Sequence, residues 1–141
     1  MDLNQVTLPA LDLDHSIAFY RALGCMLIVH APPRYARFEC PDGEATFSLH
    51  ASDHAAGESG VLVYFECADL DAQVERLRGA GVEFSQPPTD EPWLWREARL
   101  LDPSGNALCL YWAGANRVHP PWRRAQGGCP CKGRSRRPAN S

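Results

Sequence analysis

Apolar residues in the first half of the chain recur with two spacings, every second residue and every third or fourth. Alternation over residues 3–9 predicts a strand, and residues 15–24 carry apolar positions at helical spacing up to Gly24, a residue suited to a helix end. Asp12 or Asp14 can cap this helix. Shorter runs predict strands at 26–29, 35–40 and 45–50, separated by Pro-rich and Gly-containing breaks. This half therefore has the order strand, helix, strand, strand, strand.

The same order of elements begins again after a small, polar segment at residues 51–60. Residues 61–67 predict a strand, 72–81 a helix and 82–84 a short strand, and the proline-rich residues 86–92 predict a loop. Residues 93–112 predict two strands joined by a turn, in which Pro103, Gly105 and Asn106 supply turn conformations. The second half therefore repeats the first.

Short sequence echoes in the same order support an internal duplication. Asp12-Leu13-Asp14 is repeated 57 residues later as Asp69-Leu70-Asp71. The stretch from Ala36 to Gly43 is echoed 62 residues later by Ala98 to Gly105, with Ala-Arg and Pro-x-Gly in common. The sequence therefore predicts an α+β fold of two tandem βαβββ modules.

Alternation along the strands separates an apolar face from a second, polar and aromatic face. The apolar faces are expected to pack on the two helices. A solvated sheet face is one interpretation of the second face, but its aromatic rings and opposite charges are more typical of a concave ligand pocket. The candidate ligand-binding residues on it are Gln5, Ser48, His50, Tyr64, Glu66, Trp93, Trp95, Glu97, Arg99, Cys109 and Tyr111, with Arg117 following the last strand.

Three of these residues are candidates for acid–base chemistry. Glu66 and Glu97 could share a cavity and act as paired carboxylates, or arginines could neutralise them as structural ion pairs. His50 could act as a general base or only cap a strand end. Cys109 could be a nucleophile or an inert buried thiol. The sequence leaves these alternatives, and whether the protein is an enzyme, open.

Charge and composition narrow the classes of partner. Hydrophobic residues make up 45% and charged residues 22%, as in ordinary globular domains. From residue 117 onward there are seven basic residues and no acidic ones, so residues 1–116 carry seven basic against 17 acidic residues. Such an acidic body argues against nucleic-acid binding. No apolar run is long enough for a membrane span and no signal peptide is visible, which predicts a cytoplasmic protein without membrane partners.

Three motifs resemble the vicinal oxygen chelate superfamily, which includes glyoxalase I, bleomycin-resistance proteins, fosfomycin-resistance proteins and extradiol dioxygenases. They are LDLDHSIAFYRALG, FECADLDAQVERLRGAGVEF and LLDPSGNALCLYW, at residues 11–24, 65–84 and 100–112. The resemblance implies that the sheets curl into a cup, usually completed in a homodimer. It covers a single domain at 1–116, with modules at about 1–52 and 60–116. Residues 117–141 are then a basic extension containing Cys129-Pro130-Cys131, predicted to be disordered from about residue 125.

The resemblance also identifies four positions at which family enzymes hold a divalent metal. In this sequence they are Gln5, Ser48, Leu62 and Cys109, which lack a ligand set, so no metal or other cofactor is predicted. A displaced metal site using His50 and Glu66 is the alternative.

The resemblance and the acidic body together predict a metal-independent protein that binds a small organic molecule, favouring a cationic ligand such as a basic antibiotic. The alternatives are a lyase, isomerase or dioxygenase-like enzyme with a displaced metal, and a dimeric module without a ligand.

Overall fold

Each half of the chain forms one βαβββ module in the computed structural model, which describes residues 1–57 and 59–125. The first module contains β1 (Gln5–Ala10), α1 (Leu13–Ala22), β2 (Met26–Ala31), β3 (Tyr35–Glu39) and β4 (Thr46–Ala51). The second contains β5 (Leu62–Glu66), α2 (Leu70–Gly79), β6 (Gln86–Asp90), β7 (Arg96–Leu101) and β8 (Ala107–Trp112), and a 3₁₀ helix follows at Gly114–Arg117. The disorder predicted from about residue 125 and the Cys-Pro-Cys segment lie outside the described residues.

The two modules form two four-stranded sheets with the same topology. The strand orders are β1-β4-β3-β2 and β5-β8-β7-β6, and in each sheet the first pairing is parallel and the others are antiparallel. Gln5 pairs with Thr46 and Leu62 pairs with Ala107, so the two sheets also share a register. The predicted fold class is confirmed.

Local sequence explains where the helices begin and end. The Asp12 carboxylate accepts a hydrogen bond from the His15 amide at 3.0 Å, and Asp69 accepts one from the Ala72 amide at 3.2 Å. Each helix is followed by a glycine with positive φ, Gly24 at 96° and Gly81 at 92°. Of the two aspartates predicted to cap the first helix, Asp12 does so. No helix of the described residues is long and apolar enough to cross a membrane.

The apolar sheet faces and both helices form a single core that joins the modules. The Phe38 and Phe47 rings stack at 4.9 Å, Tyr20 packs on Phe47 at 4.6 Å, and Phe47 meets Phe65 of the other module at 5.7 Å. Strand alternation predicts the core positions of Phe38, Phe47 and the partly buried Phe65, and helical spacing predicts that of Tyr20.

The strand predicted at residues 82–84 is wrong, because the strand lies at Gln86–Asp90, where a loop was predicted. Prolines at 87 and 88 argued against a strand because they lack an amide donor. However, β6 is an edge strand that pairs only with β7, and its register is irregular between Gln86 and Thr89. Prolines are tolerated at edges and irregularities. Trp93 and Trp95, predicted to lie in a strand, lie in the β6–β7 turn, where Leu94 has φ of 66°.

Candidate ligand-binding site

Three aromatic rings cover the open face of the second sheet. Trp95 stacks on Tyr111 with centroids 4.7 Å apart, and Tyr64 meets both rings edge-on at 5.8 and 5.4 Å. Tyr64 is 43% exposed, whereas Tyr111 is buried. We call Tyr64, Trp95 and Tyr111 the aromatic wall, a surface on which a planar or apolar ligand could stack.

Glu97 lies beneath this wall with its charge compensated. Its side chain is 1% exposed, and it accepts hydrogen bonds from Arg99 at 2.9 Å and from the Trp93 indole at 2.8 Å. Of the two interpretations of Glu97, the structural ion pair therefore agrees with its contacts. The same carboxylate also holds the Trp93 indole in place.

Glu66 lies in the same row of the sheet as Glu97 but on the other side of Tyr111. Tyr111 pairs with Glu66 on β5 and with Glu97 on β7, so two strand spacings, about 10 Å, separate the carboxylates. The structure therefore does not bring them together as a pair sharing one proton. Burial first, and the neighbouring Glu66 second, raise the pKa of the Tyr111 hydroxyl, which stays protonated.

The free oxygen of Glu66 is the unusual feature of this row. Within the described residues, Oε2 of Glu66 is buried and has no hydrogen-bond partner. The Nε of Arg117 lies 3.6 Å from it, beyond hydrogen-bond length, and the Arg117 side chain is 55% exposed. A buried acceptor without a donor is costly, so a ligand that donates a hydrogen bond there would gain affinity.

A groove of about 880 Å³ opens beside Glu66, between the two modules. One side is the β3–β4 turn with the end of α1, and the other is the end of β5 with the start of α2. Tyr64, Glu66, Tyr111 and Arg117 belong to both the groove and the predicted site. The volume suits a drug-sized ligand. Sequence reasoning missed the remaining lining, which includes Cys40, Asp42, Cys67, Asp69 and Gln73.

The β3–β4 turn beside the groove differs from the equivalent β7–β8 turn of the second module, and the pocket lined by Pro9 and Asn106 on that other side is smaller, at about 240 Å³. In the second module, Asp102, Ser104 and Asn106 are buried, and Asp102 accepts a hydrogen bond from Tyr20 on α1 at 2.7 Å. The equivalent turn of the first module, residues 41–44, is exposed. Cys40 stands there in place of Asp102, and Leu77 stands on α2 in place of Tyr20. This difference between the repeats is the sequence signal that could have located the groove.

The predicted residues of the first module form a separate patch on the first sheet. Ser48 is buried and accepts a hydrogen bond from Gln5 at 2.7 Å, and its hydroxyl lies 3.0 Å from Thr7. His50 is exposed, with Nδ1 3.0 Å from the Ala51 carbonyl. In the part of the chain that the structure describes, every strand pairs with a strand of its own module, so no strand pairing joins the two sheets. A cup uniting Gln5, Ser48 and His50 with the aromatic wall stays a prediction.

The four positions equivalent to the family metal ligands do not suit a divalent ion. Gln5 is engaged with Ser48 and Thr46, and Leu62 has no donor atom. Cys109 is fully buried, and burial first, followed by Glu97, raises the pKa of its thiol to about 12, which opposes the thiolate that a metal needs. Across residues 1–57 and 59–125, no group of three or more His, Cys, Asp or Glu side chains is arranged to hold a metal ion.

Known proteins share this fold and part of this sequence. The family model described as Glyoxalase/Bleomycin resistance protein/Dioxygenase superfamily matches residues 2–110. An uncharacterized protein of Mycolicibacterium smegmatis is 28% identical over 110 residues, covering 78% of this chain and 92% of that protein.

Solved structures give the same result. A glyoxalase/bleomycin resistance protein/dioxygenase from Nocardioides superposes with a TM-score of 0.66 at 26% identity, covering 89% of this chain and 90% of that chain. A bleomycin-binding protein complexed with bleomycin superposes with a TM-score of 0.65 at 20% identity, covering 79% of this chain and 98% of that chain. At this low identity, the similarity to the bleomycin-binding protein shows only that the two share a fold.

Proposed function

Because this chain belongs to the Glyoxalase/Bleomycin resistance protein/Dioxygenase superfamily, we propose that it binds a small organic molecule in the groove and against the aromatic wall without a metal ion. One observation carries the proposal: a groove of about 880 Å³ meets the wall at a buried Glu66 oxygen that lacks a hydrogen-bond donor. Aromatic surface and a few convergent polar groups are typical of ligand sites. The structure complexed with bleomycin gives the fold a ligand-binding precedent.

The charges favour a cationic, aromatic-containing ligand. Residues 1–116 carry 17 acidic against seven basic residues, which raises the local concentration of cations. Three acidic residues, Asp42, Glu66 and Asp69, line the groove against two basic ones, Arg76 and Arg117. Arg76 donates hydrogen bonds to the Ala22 carbonyl and Gln73, and Arg117 lies 3.6 Å from Glu66. A ligand ammonium or guanidinium group would supply the donor that Glu66 lacks.

We expect bleomycin, a cationic antibiotic with planar heteroaromatic rings, to bind the wild-type protein in isothermal titration calorimetry. Glu66→Gln should weaken binding about tenfold, because it removes the charge that assists the hydrogen bond. Glu75→Gln removes an equal charge from the exposed face of α2 and should leave the affinity unchanged. Equal affinities for the two variants would contradict the assignment of Glu66, and no binding by the wild type would contradict this ligand class.

The enzyme alternative also relies on Glu66, since a free carboxylate oxygen beside a protonated tyrosine could act as a base. A lyase or isomerase of this kind, or a dioxygenase-like enzyme, would use a divalent metal at a displaced site with His50. Metal analysis of the purified chain separates the two functions. Stoichiometric metal that is lost in both His50→Ala and Glu66→Ala would favour the enzyme and overturn the metal-independent proposal.

We also propose that the chain is a homodimer. The wall leaves Tyr64 exposed, and the edge strand β2 exposes Met26, Ile28 and Val29. An edge strand with exposed apolar side chains is suited to pairing with a second copy of the chain. Sedimentation equilibrium should give twice the monomer mass of 15.6 kDa. If β2 is the interface, Ile28→Glu should lower the measured mass towards that of the monomer. A monomeric wild type at micromolar concentration would contradict the proposal.

A further inference from the structure

Cys25 and Cys40 face each other at the end of the β2–β3 ladder. Met26 pairs with Glu39 and Leu27 with Phe38, so extending this antiparallel register by one residue places Cys25 opposite Cys40. Directly opposite residues project their side chains from the same face of a sheet. Both cysteines pack in the hydrophobic core cluster, as Phe38 and Leu27 do.

The backbone hydrogen bonds show whether Cys25 and Cys40 form a hydrogen-bonded or a non-hydrogen-bonded antiparallel pair. The Cys25 amide donates to the Tyr20 carbonyl at 3.1 Å, and the Cys40 amide donates to the Ala45 carbonyl at 3.2 Å. Neither amide donates across the ladder, so the two residues form a non-hydrogen-bonded pair. Such pairs have Cα atoms about 4.5 Å apart, inside the range of about 4.4–6.8 Å that a disulfide spans. Both thiols are free in the structure.

Small molecules can reach this pair through the groove. Cys25 and Cys40 both line it, with Cys25 5% exposed and Cys40 half-buried. The more accessible Cys40 is therefore suited to react first, and Cys25 is placed to react with it afterwards.

We propose that Cys25 and Cys40 form a dithiol site that small-molecule disulfides such as oxidised glutathione convert into an intramolecular cross-strand disulfide. The Cys40 thiolate attacks one sulfur of glutathione disulfide, whose S–S bond breaks and releases one glutathione thiolate. The Cys25 thiolate then attacks the Cys40 sulfur of the mixed disulfide and releases the second glutathione. The two protons of the protein thiols end on the two glutathione thiolates, and two electrons pass from the protein to the oxidant.

The disulfide supplies the attachment that the first module lacks. Cys40 begins the exposed β3–β4 turn at the position where the second module has Asp102, which ties its turn to α1 through Tyr20. A covalent bond from Cys40 to Cys25, just after α1, fixes the first turn and one side of the groove. This site is independent of the proposed ligand, because its formation needs neither Glu66 nor the aromatic wall.

Burial makes the reaction slow at neutral pH. Burial first, and the neighbouring Cys40 second, raise the pKa of the Cys25 thiol to about 12, and burial also raises the pKa of Cys40. Below these values the thiolate fraction increases tenfold for each pH unit. The rate of disulfide formation should therefore increase about tenfold between pH 7 and pH 8.

The test uses the full chain incubated with oxidised glutathione, alkylated and digested. Peptide mass mapping should find Cys25 linked to Cys40 as the main intramolecular disulfide. Oxidation should raise Tm by about 10 °C, since the bond closes a loop of about 15 residues.

Two variants complete the experiment. Cys40→Ser should abolish both the linked peptide and the increase in Tm on oxidation, and comparing each variant with its own reduced form removes any effect of the substitution on folding. Cys67→Ser, at another thiol lining the groove, should retain both. The proposal is overturned if the linked peptide is absent while other thiols of the chain form mixed disulfides, or if Cys40→Ser keeps the increase in Tm.

Discussion

Replacing Asp102 by alanine is expected to lower the free energy of unfolding by about 4 kcal/mol. The carboxylate is 5% exposed and accepts four hydrogen bonds, from the Tyr20 hydroxyl, the Ser104 amide, and the amide and side chain of Asn106, at 2.7–2.9 Å. Alanine leaves the Tyr20 hydroxyl and the backbone amides of Ser104 and Asn106 buried without this acceptor, whereas the Asn106 side chain keeps the Pro9 carbonyl. Urea unfolding followed by circular dichroism measures the change.

Three comparison variants make the Asp102 prediction specific. Asp102→Asn keeps one acceptor oxygen and should lower the free energy of unfolding by about half as much as Asp102→Ala does. Tyr20→Phe removes one donor and should cost about 1.5 kcal/mol. Cys40→Ala, at the equivalent position of the first module, should cost less than Asp102→Ala because no such network surrounds it. Equal losses of unfolding free energy for Cys40→Ala and Asp102→Ala would contradict this difference between the two turns.

Arg99→Met is expected to lower the free energy of unfolding by about 2 kcal/mol. It removes the cation that pairs with the nearly fully buried Glu97 at 2.9 Å. Breaking a buried pair typically costs about 3–5 kcal/mol, but the Arg99 side chain is 37% exposed and Glu97 keeps the Trp93 indole, so the lower figure applies. Thermal and urea unfolding at neutral pH provide the measurement.

Arg96→Met is the matched control for Arg99→Met. Arg96 is about as exposed as Arg99 and makes ion pairs at 3.0 Å, but its partners Asp71 and Asp90 are 64% and 84% exposed. Solvent already screens those charges, so the midpoint of unfolding should not change measurably. If Arg99→Met and Arg96→Met had the same midpoint of unfolding, the buried Glu97 carboxylate would not need Arg99 for its stability. In that case Glu97→Gln should also be neutral, which tests the same conclusion from the other partner.

Local patterns in the sequence determined the modules and the faces of their strands. Alternation is set by the two-residue period of a strand, so Phe38, Phe47 and Leu100 could be assigned to the face that packs on the helices, and Tyr64, Glu97 and Tyr111 to the opposite face, without coordinates. That Glu97 and Tyr111 are buried on this opposite face was not predictable from alternation. Capping by Asp12 and Asp69 is equally local. The strand at Gln86–Asp90 was missed because its prolines are acceptable only at an edge, and a strand becomes an edge strand only through its place in the sheet.

Only the tertiary structure decided which of these residues meet. The sequence placed Glu66 and Glu97 on one face, but strand order put Tyr111 between them. The register of β2 with β3 set Cys25 opposite Cys40, and the packing of one module on the other opened the groove at Glu66. Strand order, register and module packing depend on contacts between residues far apart in the chain. The two-residue and 3.6-residue periods, which the sequence displays, report only how each residue relates to its neighbours.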